Sequence, residues 1–309
     1  MTHSVISTTK NAHEDEIWAC KWATTGANSS DVIVTGSLDS AIKLWRLDPE
    51  TGQPVETKTL VGHRMGILRL DISAEHDMIA SSGMEGSIHF WDLQTGAPRT
   101  EAIQGGKIEC WGLAFRPHST LIGTSAQQGK IRLFDINTRN EVEAFDTRGK
   151  FITSVHFSAN GKFLAAGSTE GTLYIFDLQA NRLLHAIEAH GKPIRAVLFS
   201  PNSAMLASAS EDGTIRLYEP TEGLPITRIT GHTSWITSLD FSPDSARVAS
   251  CSTDATVRVW KTDKEKLAVF NEAHDKIVWD VAFSPEGNKL ISVAADNNMV
   301  LYRTPKEYS

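Results

Sequence analysis

Hydroxyl, histidine and aspartate residues recur together along this chain at fixed spacing, and they are the residue types that a hydrolase uses as nucleophile, base and orienting acid. Counted back from an aromatic residue that ends a β-rich run, a Ser or Thr stands ten positions earlier, an acid six earlier, and a His precedes the set. The sets are His13, Thr35, Asp39 and Trp45; His190, Ser208, Asp212 and Tyr218; His232, Ser250, Asp254 and Trp260; and His274, Ser292, Asp296 and Tyr302. A catalytic centre needs one strained, exposed constellation, whereas this one returns along the chain and degrades by steps. His63, Ser81 and Trp91 keep the pattern with Glu85 as the acid, while Gly106, Thr124, Gln128 and Phe134, and then Arg148, Ala166, Glu170 and Phe176, have lost both the His and the Trp. Recurrence favours a structural role for these polar groups and argues against an enzyme. There is no P-loop, GxGxxG or zinc-protease motif. The other histidines, His3, His76, His89, His118, His156 and His185, lack metal-ligand spacing, so neither a metal nor a cofactor is expected.

The elements that carry these sets repeat. The closing aromatics Trp45, Trp91, Phe134, Phe176, Tyr218, Trp260 and Tyr302 lie 42 to 46 residues apart, and Gly62-His63, Ala189-His190, Gly231-His232 and Ala273-His274 punctuate the repeat. Within a copy the alternation has period two: Ile194-Arg195-Ala196-Val197-Leu198-Phe199 reads as strand a, residues 205–208 as strand b, a run ending at Tyr218 as strand c, and strand d follows the turn at 219–224. Turn residues such as Ser158-Ala159-Asn160-Gly161 and Ser242-Pro243-Asp244-Ser245 separate strands a and b. Seven such units of four strands predict an all-β, seven-bladed β-propeller spanning residues 1–309 as a single domain, at about 44 residues per blade. The last copy stops soon after Tyr302, so residues 5–9 are expected to pair with the strand ending there and close the ring.

Composition narrows the function classes. A net charge of −7 gives no broad basic face to neutralise phosphates, so direct nucleic-acid binding is not expected. Three cysteines, Cys20, Cys110 and Cys251, lie far apart without CxxC spacing, which fits a reducing compartment. Residues 1–12 lack the apolar core of a signal peptide, and no stretch approaches the ~18 apolar residues of a membrane span. The Asn28-Ser29-Ser30 sequon is a pattern frequent by chance.

The loop carrying each His and the turn carrying each acid should open on one rim. Positions flanking them line the channel mouth, and there the chain places Trp18, Trp111, Trp235 and Trp279 with Leu38, Met84, Phe151 and Arg195. Aromatic and Arg anchors with few lysines have the composition of a protein-binding hot spot. Trp45, Trp91 and Trp260 end strands and Trp22 ends a strand a, where packing explains them.

The period and its Gly-His punctuation resemble WD repeats. The run Asp146-Thr147-Arg148-Gly149-Lys150-Phe151, with Gly36-Ser37-Leu38-Asp39 and Gly105-Gly106, is similar to the family of WD-repeat propeller subunits shared by the superkiller (Ski) complex and the RNA polymerase II-associated Paf complex. That resemblance implies that the polar sets are hydrogen-bonded chains joining strand c to the bc turn, and that the protein is a non-catalytic scaffold, monomeric by itself. It implies partners in a TPR-repeat subunit and a helicase subunit, feeding messenger RNA to the exosome for 3′-to-5′ decay in the cytoplasm. In the nucleus it implies Paf complex subunits, linked to transcription elongation and histone modification, and fungal relatives take part in meiotic break formation. Two alternatives share the architecture. A substrate receptor of a cullin-type ubiquitin ligase would carry Trp-Asp-x-Arg, but Trp91-Asp92-Leu93-Gln94 has Gln where Arg is expected. A histone-peptide reader would use the same rim.

Overall fold

The computed structural model describes residues 3–25, 31–104, 110–125, 129–263, 265–271 and 273–305. Seven four-stranded antiparallel sheets account for nearly all regular structure, and a single 3-10 turn, Ala74–His76, is the helical content among the described residues. None of these elements is a helix long and apolar enough to cross a membrane. Six sheets use consecutive strands, as in the fifth blade: Ile194–Phe199, Leu206–Ser210, Thr214–Glu219 and Leu224–Thr230. Strand a lies where the sequence pattern puts it, whereas strand b starts one residue later than expected and runs two further. Its extra residues, Ala209 and Ser210, face Ile215 and Ile194, whose burial in the core carries the ladder further along the strand.

The seventh sheet closes the ring. Val278–Phe283, Lys289–Ala294 and Met299–Arg303 are joined by Ser4–Thr9, which runs antiparallel to the last of them with Val5 opposite Tyr302 and Thr9 opposite Met299. Without that strand the backbone groups of Met299–Arg303 would form an open edge.

Each blade packs face to face on its neighbours. The buried apolar residues divide into seven clusters, and every cluster draws on two adjacent sheets. At the junction of the last and first blades, Ile17, Cys20, Ile33 and Trp45 meet Ala282, Ile291, Met299 and Leu301. Alternate side chains of strands b and c point to opposite faces, so one strand serves two clusters. In the first blade Ile33 faces the seventh and Val32 and Val34 face the second.

Strand a is the innermost edge of every sheet, and channel-facing side chains satisfy several of its amides. Asp280 accepts from Cys20 N at 2.9 Å, Asp71 from Phe115 N at 2.7 Å, Asp240 from Phe283 N at 2.7 Å, Ser154 from Val197 N at 3.1 Å and His156 from Phe199 N at 3.2 Å. Each bond crosses from one blade to the next. Burial raises the Asp240 carboxyl to about 7, opposed by the nearby Lys21 ammonium, and drives His156 down to about 3.

Removing residues 1–10 takes away the outer strand of the last blade together with Ile6, which packs against the first–last cluster. The expected result is a fall in Tm of about 10 °C or more, read by circular dichroism; a truncated chain that melts with the full-length one would contradict this closure.

Candidate protein-interaction site

The Ser-His-Asp sets fold into bonded chains. In the sixth blade His232 Nδ1 lies 2.9 Å from Asp254, His232 Nε2 2.8 Å from Ser250 Oγ, and Trp260 Nε1 donates to the same Oγ at 2.9 Å. A carboxylate only accepts, so Nδ1 carries the proton, Nε2 accepts from the serine O–H, and the serine lone pair is left for the indole. The first blade repeats this with His13, Asp39, Thr35 and Trp45 at 2.9, 2.7 and 2.9 Å. In the seventh, His274, Asp296 and Ser292 end on the Tyr302 hydroxyl, 2.7 Å from Ser292 Oγ. The fifth blade departs from the sequence expectation. His190 bonds Asp212 and Ser208, but the Tyr218 phenol engages Arg216, a guanidinium that stands where the seventh blade has Val300.

These triads have the bonding order of a hydrolase and the wrong exposure. Thr35, Ser208, Ser250 and Ser292 are fully buried at 0% exposure, so no substrate can reach their hydroxyls. Their work is to hold loops. The loops before the first, fourth and fifth blades also bond the preceding blade's bc turn through the backbone, as when His190 N donates to Gly171 O at 2.9 Å. Gly171 has φ +83°, and a side chain there would run into the His190 carbonyl.

The divergent blades solve the same problem differently. Thr147 takes over the loop before the fourth blade, donating from both N and Oγ1 to Gly129 O, while Arg148 points outward and Ala166 is buried in apolar surroundings. Lys150 pairs with Glu170 across that loop. Gly105, Gly106 and Gln128, singled out in the third blade, lie outside the described residues, as does the sequon at 28–30.

The rim is built by one recurring backbone bond. The amide of the residue before each turn acid donates to the carbonyl of a loop residue in its own blade: Leu38 to Glu16, Met84 to Gly66, Thr169 to Phe151, Glu211 to Pro193, Thr253 to Trp235 and Ala295 to Ile277. Leu38, Met84, Phe151 and Trp235 are thereby brought to one rim. Trp18, Arg195 and Trp279 stand two positions beyond the bonded loop residue in their blades, just inside the mouth, and Trp111 packs against Phe151.

The indoles form three separate contacts. Trp18 and Trp279 lie with ring centroids 4.9 Å apart, and both donate to Glu16 Oε2, at 3.1 and 2.9 Å. Trp111 meets Phe151 edge to face at 5.9 Å, and its Nε1 has no acceptor among the described residues. The Arg195 guanidinium lies 5.6 Å from the Trp235 ring centroid and is paired with Glu211. Trp235 and Met84 are each 44% exposed, while Trp18, Leu38, Trp111, Phe151, Arg195 and Trp279 are half-buried. Sequence reading named the aromatics but not Glu16 or Glu211 as their anchors. The available signal was an acid in the same loop or turn as a rim Trp or Arg.

The second blade holds a further group. Glu85 bonds His63 Nδ1, His63 Nε2 lies 2.7 Å from Ser81, and Trp91 donates to Ser81 at 2.9 Å. The His89 ring lies 4.2 Å from that of His63, and one ligand atom each from His63, Glu85 and His89 falls within 4.8 Å of the others. This corrects the expectation that His89 lacks metal-ligand company. Residues 85 and 89 sit on the turn and strand of a hairpin, a juxtaposition that linear motif spacing does not express.

Two outcomes follow from the polar chains. Replacing Ser250 by Ala leaves the indole N–H of Trp260 and Nε2 of His232 buried without partners, and should cost about 1–3 kcal/mol in urea unfolding. Acid should act on the chains together. Burial holds His190 and His232 below the ordinary imidazole value despite their carboxylate partners. Burial by itself would raise Asp39, Asp212, Asp254 and Asp296, but bonds from His, Thr and turn amides outweigh it and hold them below the usual range. The unfolded chain takes up these protons first, near pH ~6.5 for His and ~4 for Asp, so the stabilisation is full above about 6.5 and is lost as pH falls through the lower folded-state values. A urea midpoint that stays flat from neutrality to about pH 4 would contradict this.

Comparison with known proteins agrees with the geometry. A family model described as the echinoderm microtubule-associated protein second β-propeller matches residues 110–281, more than half of the chain, and the WD domain, G-beta repeat model matches 4–46, 54–92 and 264–303. The chain is 33% identical over 159 residues to the WD repeat-containing protein SL1-17 of Schistosoma mansoni, covering 52% of each. It is 32% identical over 177 residues to the WD repeat-containing protein VIP3 of Arabidopsis thaliana, covering 53% of this chain and 54% of that one. Pre-mRNA-processing factor 19 homolog 2 of the same plant is 26% identical over 161 residues, 52% of this chain and 30% of its own. The matches span about half the length of the first two relatives. With seven blades and a family match across most of the sequence, the chain belongs to the WD40-repeat β-propeller family.

Proposed function

We propose that this protein is a non-catalytic scaffold that grips segments of partner proteins at the channel mouth. The observation that carries this reading is the aromatic rim, where Trp235 and Met84 are open to solvent and the Trp18–Trp279 pair is held in one geometry by a shared carboxylate. Rings already fixed lose little side-chain freedom on binding, so more of their contact energy appears as affinity. The sealed hydroxyls of the polar chains support the non-catalytic part of the proposal.

Within that class, the resemblance carried by residues 146–151 favours a subunit of a Ski-type complex in exosome-linked messenger RNA decay, and of the Paf complex in transcription elongation. The partners are then a TPR-repeat subunit with a helicase subunit, and Paf complex subunits, placing the protein in cytoplasm and nucleus. Purification from native extract followed by mass spectrometry tests this. Recovery of the TPR protein and helicase is the expected outcome, whereas recovery of a cullin adaptor would replace it with the ligase-receptor reading. Trp235→Ala and Trp279→Ala should each lower partner recovery at least tenfold with Tm unchanged. If both variants capture partners like the parent, the rim is not the docking surface.

A further inference from the structure

We infer that the second blade carries a binding site for a divalent transition-metal ion of the zinc type, built from His63, Glu85 and His89. Two imidazoles and one carboxylate are the donor set that suits zinc, with a fourth position left for solvent. Magnesium and calcium favour oxygen-only shells and fit it poorly. Among the described residues this is the one cluster of three such side chains whose ligand atoms converge.

Comparison with the other blades shows what is different here. The position two residues before the closing aromatic is Lys43, Arg132, Tyr174, Arg216, Arg258 and Val300 elsewhere, and His89 in the second blade. In the sixth blade Arg258 turns back to the acid of its own polar chain, lying 3.8 Å from Asp254. Glu85 has no Lys or Arg partner among its ion pairs; its partners are His63 and Ser87, and the ring of His89 stacks at 5.8 Å on Trp91 beside it. A bound cation would stand where the sixth blade has a guanidinium.

The backbone has been opened to admit the longer acid. Gly83 occupies a position that is Ser37, Ala126, Ser168, Ser210, Ser252 or Ala294 in the other blades. A Cβ there would collide with Glu85 Oε2 and His63 Nδ1, so these atoms converge into space that only glycine leaves free. Both hydrogen bonds to the Glu85 carboxylate land on Oε1, and Oε2 is buried without a partner. The unpartnered Glu85 Oε2 stands beside His89, whose Nε2 reaches the chain only through Ser87 Oγ at 3.1 Å, and together with His63 they form a donor set suited to a cation.

The test uses the full-length chain, stripped with chelator and titrated with zinc chloride under calorimetry and thermal melting, with cobalt(II) as a spectroscopic probe. Expected are one ion per chain, a zinc-dependent rise in Tm that magnesium does not produce, and cobalt bands of a low-coordinate site. His89 has no hydrogen bond to His63, Ser81 or Trp91 and touches the chain only through Ser87 and ring contacts, so His89→Ala should fold with a metal-free Tm close to the parent's and lose the zinc response. Glu85→Asp restores the ordinary acid of the chain and withdraws the carboxylate, so it should fold while binding zinc at least tenfold more weakly. A parent protein indifferent to zinc overturns the proposal. So does zinc binding that survives unchanged in His89→Ala, which would be adventitious surface binding.

Discussion

A sheet packed face to face on two neighbours has no terminal face only if the succession of sheets closes, and this closure is the constraint on which the molecule depends. Six blade junctions join sheets that follow one another along the chain. The seventh joins Ile17, Ile33 and Trp45 to Ile291, Met299 and Leu301, residues far apart in sequence, and it is secured by Ser4–Thr9 pairing with Met299–Arg303. A core divided among seven junctions has no centre, so each blade is stabilised only through its neighbours.

Closure leaves the inner strands as edges around a channel, and the chain meets this with side chains rather than with more sheet. Asp71, Ser154, His156, Asp240 and Asp280 each take an amide from the next blade, so groups that look like a charged pore serve as stitching. The outer rim is treated similarly by the polar chains, each of which fixes a loop, a strand and a turn of one blade. Where the chain of bonds is lost, as around Ala166, the replacement is local: Thr147 supplies backbone and hydroxyl bonds to Gly129. The second blade shows that two changes must come together, since Glu85 fits only because residue 83 is Gly.

Much of this was legible beforehand because it is periodic. Repeated spacing exposes an error at one copy against the others, so the blade number, strand a at Ile194–Phe199 and the closing strand could be read directly. The polar chains were legible for the same reason, except at Tyr218, where a phenol has a choice of partners that an indole N–H lacks. What escaped was contact between non-equivalent positions: Glu16 serving two indoles from the first and last blades, Arg195 over Trp235, and His89 beside His63. These depend on side-chain direction across a junction or a hairpin, which the spacing of the repeat does not express.

The closing strand also sets an order of events during synthesis. Ser4–Thr9 leaves the ribosome long before its partner Met299–Arg303, so at roughly 5–20 residues per second it spends tens of seconds with an open hydrogen-bonding edge. Throughout that interval the nascent chain is an incomplete arc with both flanks available to other arcs, including those on the same message. Exchange of this strand between two chains would use the native pairing unchanged, which makes crowding on polysomes, and chaperones that shield the leading segment, the natural determinants of how much closed ring is produced.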